Sequence, residues 1–178
     1  MKIVIDTNVL VQIMQNEDAK ELRDPLSGKA VDNAFMRAEA LVERIEAING
    51  VVVLPAPVLA EYLIGIRRES YQAHLDIING VKCIEISSFD QLAAVECAMM
   101  VSNAEMKQLD PDSTMAKLKY DRQILAISVA SGAKEIWTHD KQIYKRAESV
   151  GLLARSLASI EANPEQLNFH HEIAPSLE

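Results

Sequence analysis

Carboxylates far apart in sequence do joint chemistry only if the fold gathers them, and four in this chain sit where a fold can do so. Asp6 ends the apolar run Ile3-Val4-Ile5, and Asp140 follows Ile136-Trp137-Thr138-His139. Asp121 opens a strongly patterned helical segment, and Glu61 lies one turn beyond Pro57 on an otherwise apolar one. Two carboxylates about 4 Å apart repel by roughly 4 kcal/mol at an effective dielectric of about 20. Four together therefore stay ionised only around a cation, or else some take up protons. All-oxygen donors suit hard cations, so Mg²⁺ or Mn²⁺ is the expected occupant. One or two such ions generate hydroxide and clamp a phosphoryl group for in-line attack, which implies phosphodiester hydrolysis. No serine, cysteine or histidine triad is needed.

The elements that must position these groups follow from the hydrophobic pattern. Ile3-Val4-Ile5 reads as a strand buried on both faces, with Thr7-Asn8 capping a helix over Val9–Gln15. Asn16–Lys29 is polar, with Asp24-Pro25 and Ser27-Gly28 as turn signals, and reads as a surface loop. Ala30–Ile48 carries apolar residues at Ala34, Phe35, Ala38, Leu41, Val42 and Ile45, near a 3.6-residue period, and is an amphipathic helix stopped at Asn49-Gly50. Val51–Leu54 is a second buried strand, and Pro55–Arg68 a helix with Pro57 in its first turn. A helix over Ser70–Ile78, broken by Asn79-Gly80, a strand over Val81–Ile86 and an Ala/Met-rich helix over about Gln91–Ser102 come next. Asn103–Met115 is irregular around Asp110-Pro111-Asp112. A helix over Asp121–Ser131 with Gly132 as its stop, a strand over Glu135–Thr138, a helix over Gln142–Val150 and a strand over Leu153–Leu157 complete the pattern. Strands alternating with helices make the class α/β with a mainly parallel sheet. In such sheets strand carboxyl ends and helix N-termini share one edge, where ligands bind. Residues 1–160 form one domain and 161–178 a tail.

Bulk properties narrow the function. A net charge of −8 argues against a generally nucleic-acid-coated surface, although carboxylates gathered around a cation contribute to that count. Cys83 and Cys97 read as reduced thiols of a cytosolic protein rather than a disulfide framework. Ile3-Val4-Ile5 is too short for a signal-peptide core, and the longest apolar stretch, Val51–Ala60, is broken by Pro55 and Pro57. A cytoplasmic protein with no membrane span is expected.

Four segments together carry a resemblance: Ile3-Val4-Ile5-Asp6-Thr7-Asn8-Val9-Leu10, Pro57-Val58-Leu59-Ala60-Glu61-Tyr62, Tyr120-Asp121-Arg122-Gln123-Ile124-Leu125-Ala126-Ile127 and Ile136-Trp137-Thr138-His139-Asp140. In order and rough spacing the chain resembles the PIN-domain nucleases from residue 1 to about 158. Each motif alone is weak, and the four in order are fairly specific. The resemblance implies a Rossmann-like, three-layer fold with helices on both faces of the sheet. It also implies divalent-metal-dependent RNA cleavage, most often as the toxin of a VapC-type toxin–antitoxin pair. By position Asp6, Glu61, Asp121 and Asp140 match the family's acidic quartet, and Thr7 or Asn8 and Thr138 its supporting polar positions. An RNA substrate, a small antitoxin partner and a homodimer through the Ala/Met-rich helix are the partners it implies. The polar segment 16–29, the stretch around Asp110 and the tail make this chain longer than a minimal toxin of that type.

Each residue also has an ordinary explanation. Asp6 and Asp140 are in position to cap helices, and Asp121 to complement a helix dipole. Glu61 among apolar neighbours is harder to explain without a partner. His139 is not needed as a general base and is assigned a surface or packing role. Lys117, Lys119 and Arg122 near Asp121, and Lys141, Lys145 and Arg146 after Asp140, are either a solvated face or phosphate contacts, with Lys119 and Arg122 the candidates for substrate. Two other functions compete with the nuclease. An Asp6-nucleophile phosphatase usually wants a second acid two residues on, where Asn8 stands. The other is a catalytically inactive RNA- or protein-binding module on the same fold.

Overall fold

Strand β1 (Lys2–Ile5) lies at the centre of the computed structural model, which describes residues 1–14, 21–100, 108 and 114–162. Its residues 3 to 5 are fully buried, as an unbroken β-branched run requires. On one side it pairs in parallel with β4 (Val51–Pro55), Lys2 against Val51 and Val4 against Val53. On the other it pairs in parallel with β6 (Glu135–Trp137), Ile5 against Trp137. Strands β5 (Ile84–Ser87) and β7 (Leu153–Arg155) extend the sheet to the order β5-β4-β1-β6-β7, every pairing parallel. The expected α/β architecture with a parallel central sheet flanked by helices is therefore present.

The chain runs outward from β1 through β4 to β5, then returns past β1 to β6 and β7. Because parallel crossovers are right-handed, that reversal sends the two sets of connecting helices to opposite faces. It also makes the β1/β6 boundary the switch point of the sheet, where a crevice opens beyond the strand carboxyl ends. Asp6 and Asp140 follow the two strands that meet there.

Between the strands lie α1 (Thr7–Ile13), α2 (Ala34–Ala47), α3 (Ala56–Ile64), α4 (Tyr71–Gly80), α5 (Gln91–Met99), α6 (Met115–Ala130) and α7 (Lys141–Ser149). Helix α2 buries Phe35, Ala38, Leu41 and Ile45, the positions its period selects. After it Asn49 takes φ 51°, a left-handed turn that asparagine tolerates. A Cβ on Gly50 would stand 2.9 Å from the Met1 carbonyl oxygen, so the chain can pass the start of β1 only as glycine.

Several boundaries differ from the sequence reading, for local physical reasons. Residues 21–31 are not all loop: β2 (Leu22–Arg23) pairs antiparallel with β3 (Ala30–Val31), and the Asp24 carboxylate closes the turn by accepting from the Ser27 N–H and Oγ. Helix α2 consequently begins at Ala34, not Ala30. Asn79-Gly80 lies inside the last turn of α4, and β5 begins at Ile84 rather than Val81. The last strand stops at Arg155, before a 3-10 turn over Leu157–Ser159. The largest difference is α6, whose N-cap is Thr114, accepting from the Lys117 N–H at 3.2 Å. Asp121 therefore sits in mid-helix and not at a helix start. The readings of residues 16–20, of the turn at 110–112 and of the tail from 163 onward lie outside the described residues.

Candidate functional site

Thr7 and Asn8 were expected to cap α1, but Asp6 does so itself. Its backbone is extended (φ −92°, ψ 168°), its N–H donates to the Trp137 carbonyl at 3.0 Å, and its Oδ1 accepts from the Thr7 N–H at 2.7 Å. Oδ2 accepts from Thr138 Oγ1 at 2.8 Å. The same hydroxyl accepts from the Asp140 N–H at 3.0 Å, so Thr138 ties the turn after β1 to the turn after β6. Asp140 in turn caps α7, with Oδ1 accepting from the Gln142 and Ile143 N–H groups at 2.7 and 3.1 Å. For both aspartates the capping bonds leave carboxylate lone pairs unused, so capping does not compete with a site role.

The other two acids come from helices on either side. Glu61, exposed on α3, accepts from Thr7 Oγ1 at 2.5 Å. Tyr120 of α6 donates its hydroxyl to the Pro57 carbonyl and so docks α6 against the start of α3. That brings Asp121 to the same opening, a cleft of about 460 Å³ lined by Asp6, Thr7, Asn8, Glu61, Asp121 and Asp140 among others. This is an ordinary size for a ligand site. All four candidate acids, Thr7 and Asn8 thus line one cleft at the switch point, with Thr138 buried directly beneath it.

Crowding shows in the protonation of these groups. Burial, reinforced by Asp140 and Glu61, pushes Asp6 from 3.8 to about 6 against the bonds from Thr138 and Thr7. Burial and then Asp140 push Asp121 to about 6 as well, opposed by Lys117 and Arg146. Asp140 is held low: burial works against its ionisation, but the Lys117 ammonium and two helix N–H groups outweigh it. Lys117 Nζ lies 2.6 Å from Asp140 Oδ2, and Arg146 Nη1 lies 2.9 Å from Asp121 Oδ2.

The basic residues that border Asp121 in sequence divide differently in space. Lys119 is exposed and does not line the cleft. Arg122 does not line it either: its Nε donates to the Cys97 carbonyl at 2.7 Å, which ties α5 to α6. A helical neighbour at i+1 points about 100° away, so closeness in sequence misdirects here. Among the described residues the cation that lines the cleft is Lys117, one turn before Asp121, and the buried one is Arg146; Lys117 did not stand out from its basic neighbours. Arg146 did leave a signal, since it falls on the apolar face of α7 between Ile143 and Ala147. His139 has the packing role expected of it. Its ring bridges the Arg23 carbonyl at 3.0 Å and the Leu157 N–H at 3.1 Å, so Nε2 accepts, Nδ1 donates and the ring is neutral. Burial lowers its pKa accordingly.

Thr138→Val keeps the shape of this fully buried side chain and removes its hydroxyl. The loss strips Asp6 of a donor and the Asp140 N–H of an acceptor. We expect a stability loss of about 1–3 kcal/mol in urea unfolding at pH 7.

A family model described as the PIN domain matches residues 32–149, more than half of the chain. The chain belongs to the PIN domain family. The matched stretch contains Glu61, Asp121 and Asp140, whereas Asp6 precedes it and joins them through the β1–β6 pairing. No curated protein matches the sequence. Solved structures do share the PIN fold at low identity. VapBC2 from Rickettsia felis, bound to a DNA fragment from its promoter, matches at 19% identity and a TM-score of 0.56 over 88% of this chain and 98% of that one. DNA-bound VapBC from Salmonella typhimurium matches at 16% identity and a TM-score of 0.56 with the same coverage. The Mycobacterium tuberculosis toxin VapC20, which cleaves the sarcin-ricin loop, matches at 13% identity and a TM-score of 0.50 over 85% of this chain and 96% of that one. At such identities the likeness is one of fold.

Whether this PIN site suits a divalent cation turns on its donors. Four carboxylates around one opening, two of them pushed toward protonation, form a hard, anionic donor set that Mg²⁺ or Mn²⁺ fits. As placed, the positive charge comes from Lys117 and Arg146, and among the described residues no three His, Cys, Asp or Glu side chains converge on one point. Side-chain rotation of exposed Glu61 and release of Asp140 from Lys117 are what a bound ion would require.

Proposed function

We propose that this PIN-domain protein is a metal-dependent endoribonuclease. The observation that supports this reading best is the convergence of Asp6, Glu61, Asp121 and Asp140, from four separate segments, on one cleft at the switch point of the sheet. Asp6, Glu61, Asp121 and Asp140 would hold the ion, and when bound it supplies activated water and stabilisation of charge on the phosphoryl group. The protein's own part is positional. Thr138 holds Asp6 and the backbone of Asp140 in one arrangement, Thr7 holds Glu61, and Arg146 holds Asp121. In this reading Asn8 would donate to an RNA phosphate, and Thr7, whose hydroxyl proton goes to Glu61, would accept from a ribose hydroxyl.

The biological setting we propose is a toxin–antitoxin pair, with a small protein antitoxin as partner, by analogy with the VapBC assemblies that share this fold. Among the described residues no helix is long and apolar enough to cross a membrane. We place the protein in the cytoplasm, where RNA is available.

The decisive test is cleavage of assorted RNAs with Mn²⁺ by the purified protein beside its Asp6→Asn and Asp121→Asn variants. Cleavage that requires Mn²⁺, stops with chelator and is lost in both variants is expected; equal cleavage by all three would trace the activity to a contaminant. A second reading, a non-catalytic RNA- or protein-binding module, draws on the pairing of Asp121 and Asp140 with internal cations. RNA binding without any metal-responsive cleavage would favour it.

A further inference from the structure

Lys117 lines the cleft and, though exposed, directs its ammonium to an acid of the cleft, where a lysine on the first turn of a helix usually extends into bulk solvent. Its ammonium lies 2.6 Å from Asp140 Oδ2, although the side chain keeps 44% of its exposure and could extend elsewhere. Asp140 already receives two helix N–H groups on Oδ1 and so does not need Lys117 in order to cap α7. The acids around it do need positive charge, because Asp6, Glu61 and Asp121 line the same cleft as Asp140 and like charges so gathered repel. A single ammonium on a flexible four-carbon stem is a compact point charge, able to leave when a stronger cation arrives.

We propose that Lys117 is a tethered stand-in for the divalent cation, one that yields Asp140 to the ion and turns to an RNA phosphate at the mouth of the cleft. This rests on the metal-dependent reading above and adds to it a positioning residue with two partners. In the metal-free protein Lys117 neutralises Asp140 and keeps the acidic cluster from flying apart. With the ion in place the same ammonium faces the strand, contributing one phosphate contact to a protein of net charge −8. Metal binding and substrate binding are thereby coupled through one side chain.

The test uses Lys117→Met, which keeps the stem, and Lys117→Arg, which keeps the charge. Mn²⁺ affinity is read by electron paramagnetic resonance without RNA, and affinity for a short single-stranded RNA is read in Mn²⁺ across a salt series by rapid mixing, before cleavage sets in. Removing a competing, partly exposed charge should tighten Mn²⁺ binding to Lys117→Met by about three- to tenfold. The same variant should lose about 0.7 from the slope of log affinity against log salt, the share of one phosphate on a single strand. Lys117→Arg should stay near the parent in both. Unchanged Mn²⁺ affinity in Lys117→Met overturns the stand-in role, and an unchanged salt slope overturns the phosphate contact. Failure of the parent and of both variants to bind Mn²⁺ would instead sink the metal-dependent reading, and this proposal with it. Circular dichroism melting of each variant separates these outcomes from unfolding.

Discussion

Asp6→Asn should abolish RNA cleavage while making the metal-free protein more stable. Asp6 is 3% exposed, and its carboxyl is raised from 3.8 to about 6. In the unfolded chain it ionises near 3.8, whereas in the fold it holds its proton until about pH 6. Between those values the folded state binds more protons, so stability falls as pH rises through the window and levels off above it. The deficit at pH 7 is about 3 kcal/mol for this group alone. Because the neighbouring acids share the strain, the gain on neutralising it is about 1–3 kcal/mol. An asparagine keeps an oxygen for the Thr7 N–H and offers an amide to the Thr138 hydroxyl, so the cap survives. The measurement is urea unfolding of parent and variant in chelator at pH 5 and pH 7. The variant's advantage should appear at pH 7 and shrink at pH 5, a difference that cancels the opposite pH dependence of His139, common to both proteins. Excess Mn²⁺ should then stabilise the parent by about 2–3 kcal/mol at a hundredfold over its dissociation constant, and the variant far less. RNA cleavage by the variant should fall by about a hundredfold or more, since altering even outer partners of a metal ligand costs about 10- to 100-fold. A variant that is less stable in chelator at pH 7 would refute the assigned strain.

The second large effect is expected at Arg146. Its guanidinium and the Asp121 carboxylate are 8% and 5% exposed and lie 2.9 Å apart. A buried pair of this kind gains little over an apolar replacement of both partners, yet breaking it from one side leaves an uncompensated charge. Arg146→Met should therefore cost about 3–5 kcal/mol at pH 7, where Asp121 is ionised. Lowering the pH through about 6 should reduce that penalty, because Asp121 then takes up a proton whether or not Arg146 is present. The double variant Arg146→Met, Asp121→Asn should recover much of the loss, and a double-variant cycle in urea measures the coupling directly. A penalty that does not change between pH 7 and pH 5 would mean that Arg146 acts through packing alone.

How far these features could be read from sequence depends on what each residue faces. Ile3-Val4-Ile5 was legible because a strand buried on both faces leaves a continuous β-branched run, and the sheet neighbours do bury it fully. The α2 face was legible because its buried positions repeat at helical spacing. The first turns of α6 were not, because between Met115 and Lys119 only Leu118 is buried and no period forms. This made Asp121 look like a beginning when it is a midpoint. The β2–β3 hairpin escaped because two residues per strand are too few to alternate. At the site, the four acids were legible through their neighbours, whereas Lys117 was hidden among other basic residues and Arg146 showed only as a charge on an apolar helix face.

The hydroxyl of Thr138 reaches the carboxylate of Asp6 across 132 positions of chain. That span has a consequence for timing. A ribosome releases the chain from its N-terminus, so Asp6 emerges long before β6 exists to flank it, and Arg146 follows later still. Until then Asp6 has no Thr138, Asp121 has no Arg146, and the edge of the sheet on which the acids meet is not built. On the reading proposed above, a growing chain would therefore carry no assembled site until the segments that bear Thr138 and Arg146 have emerged.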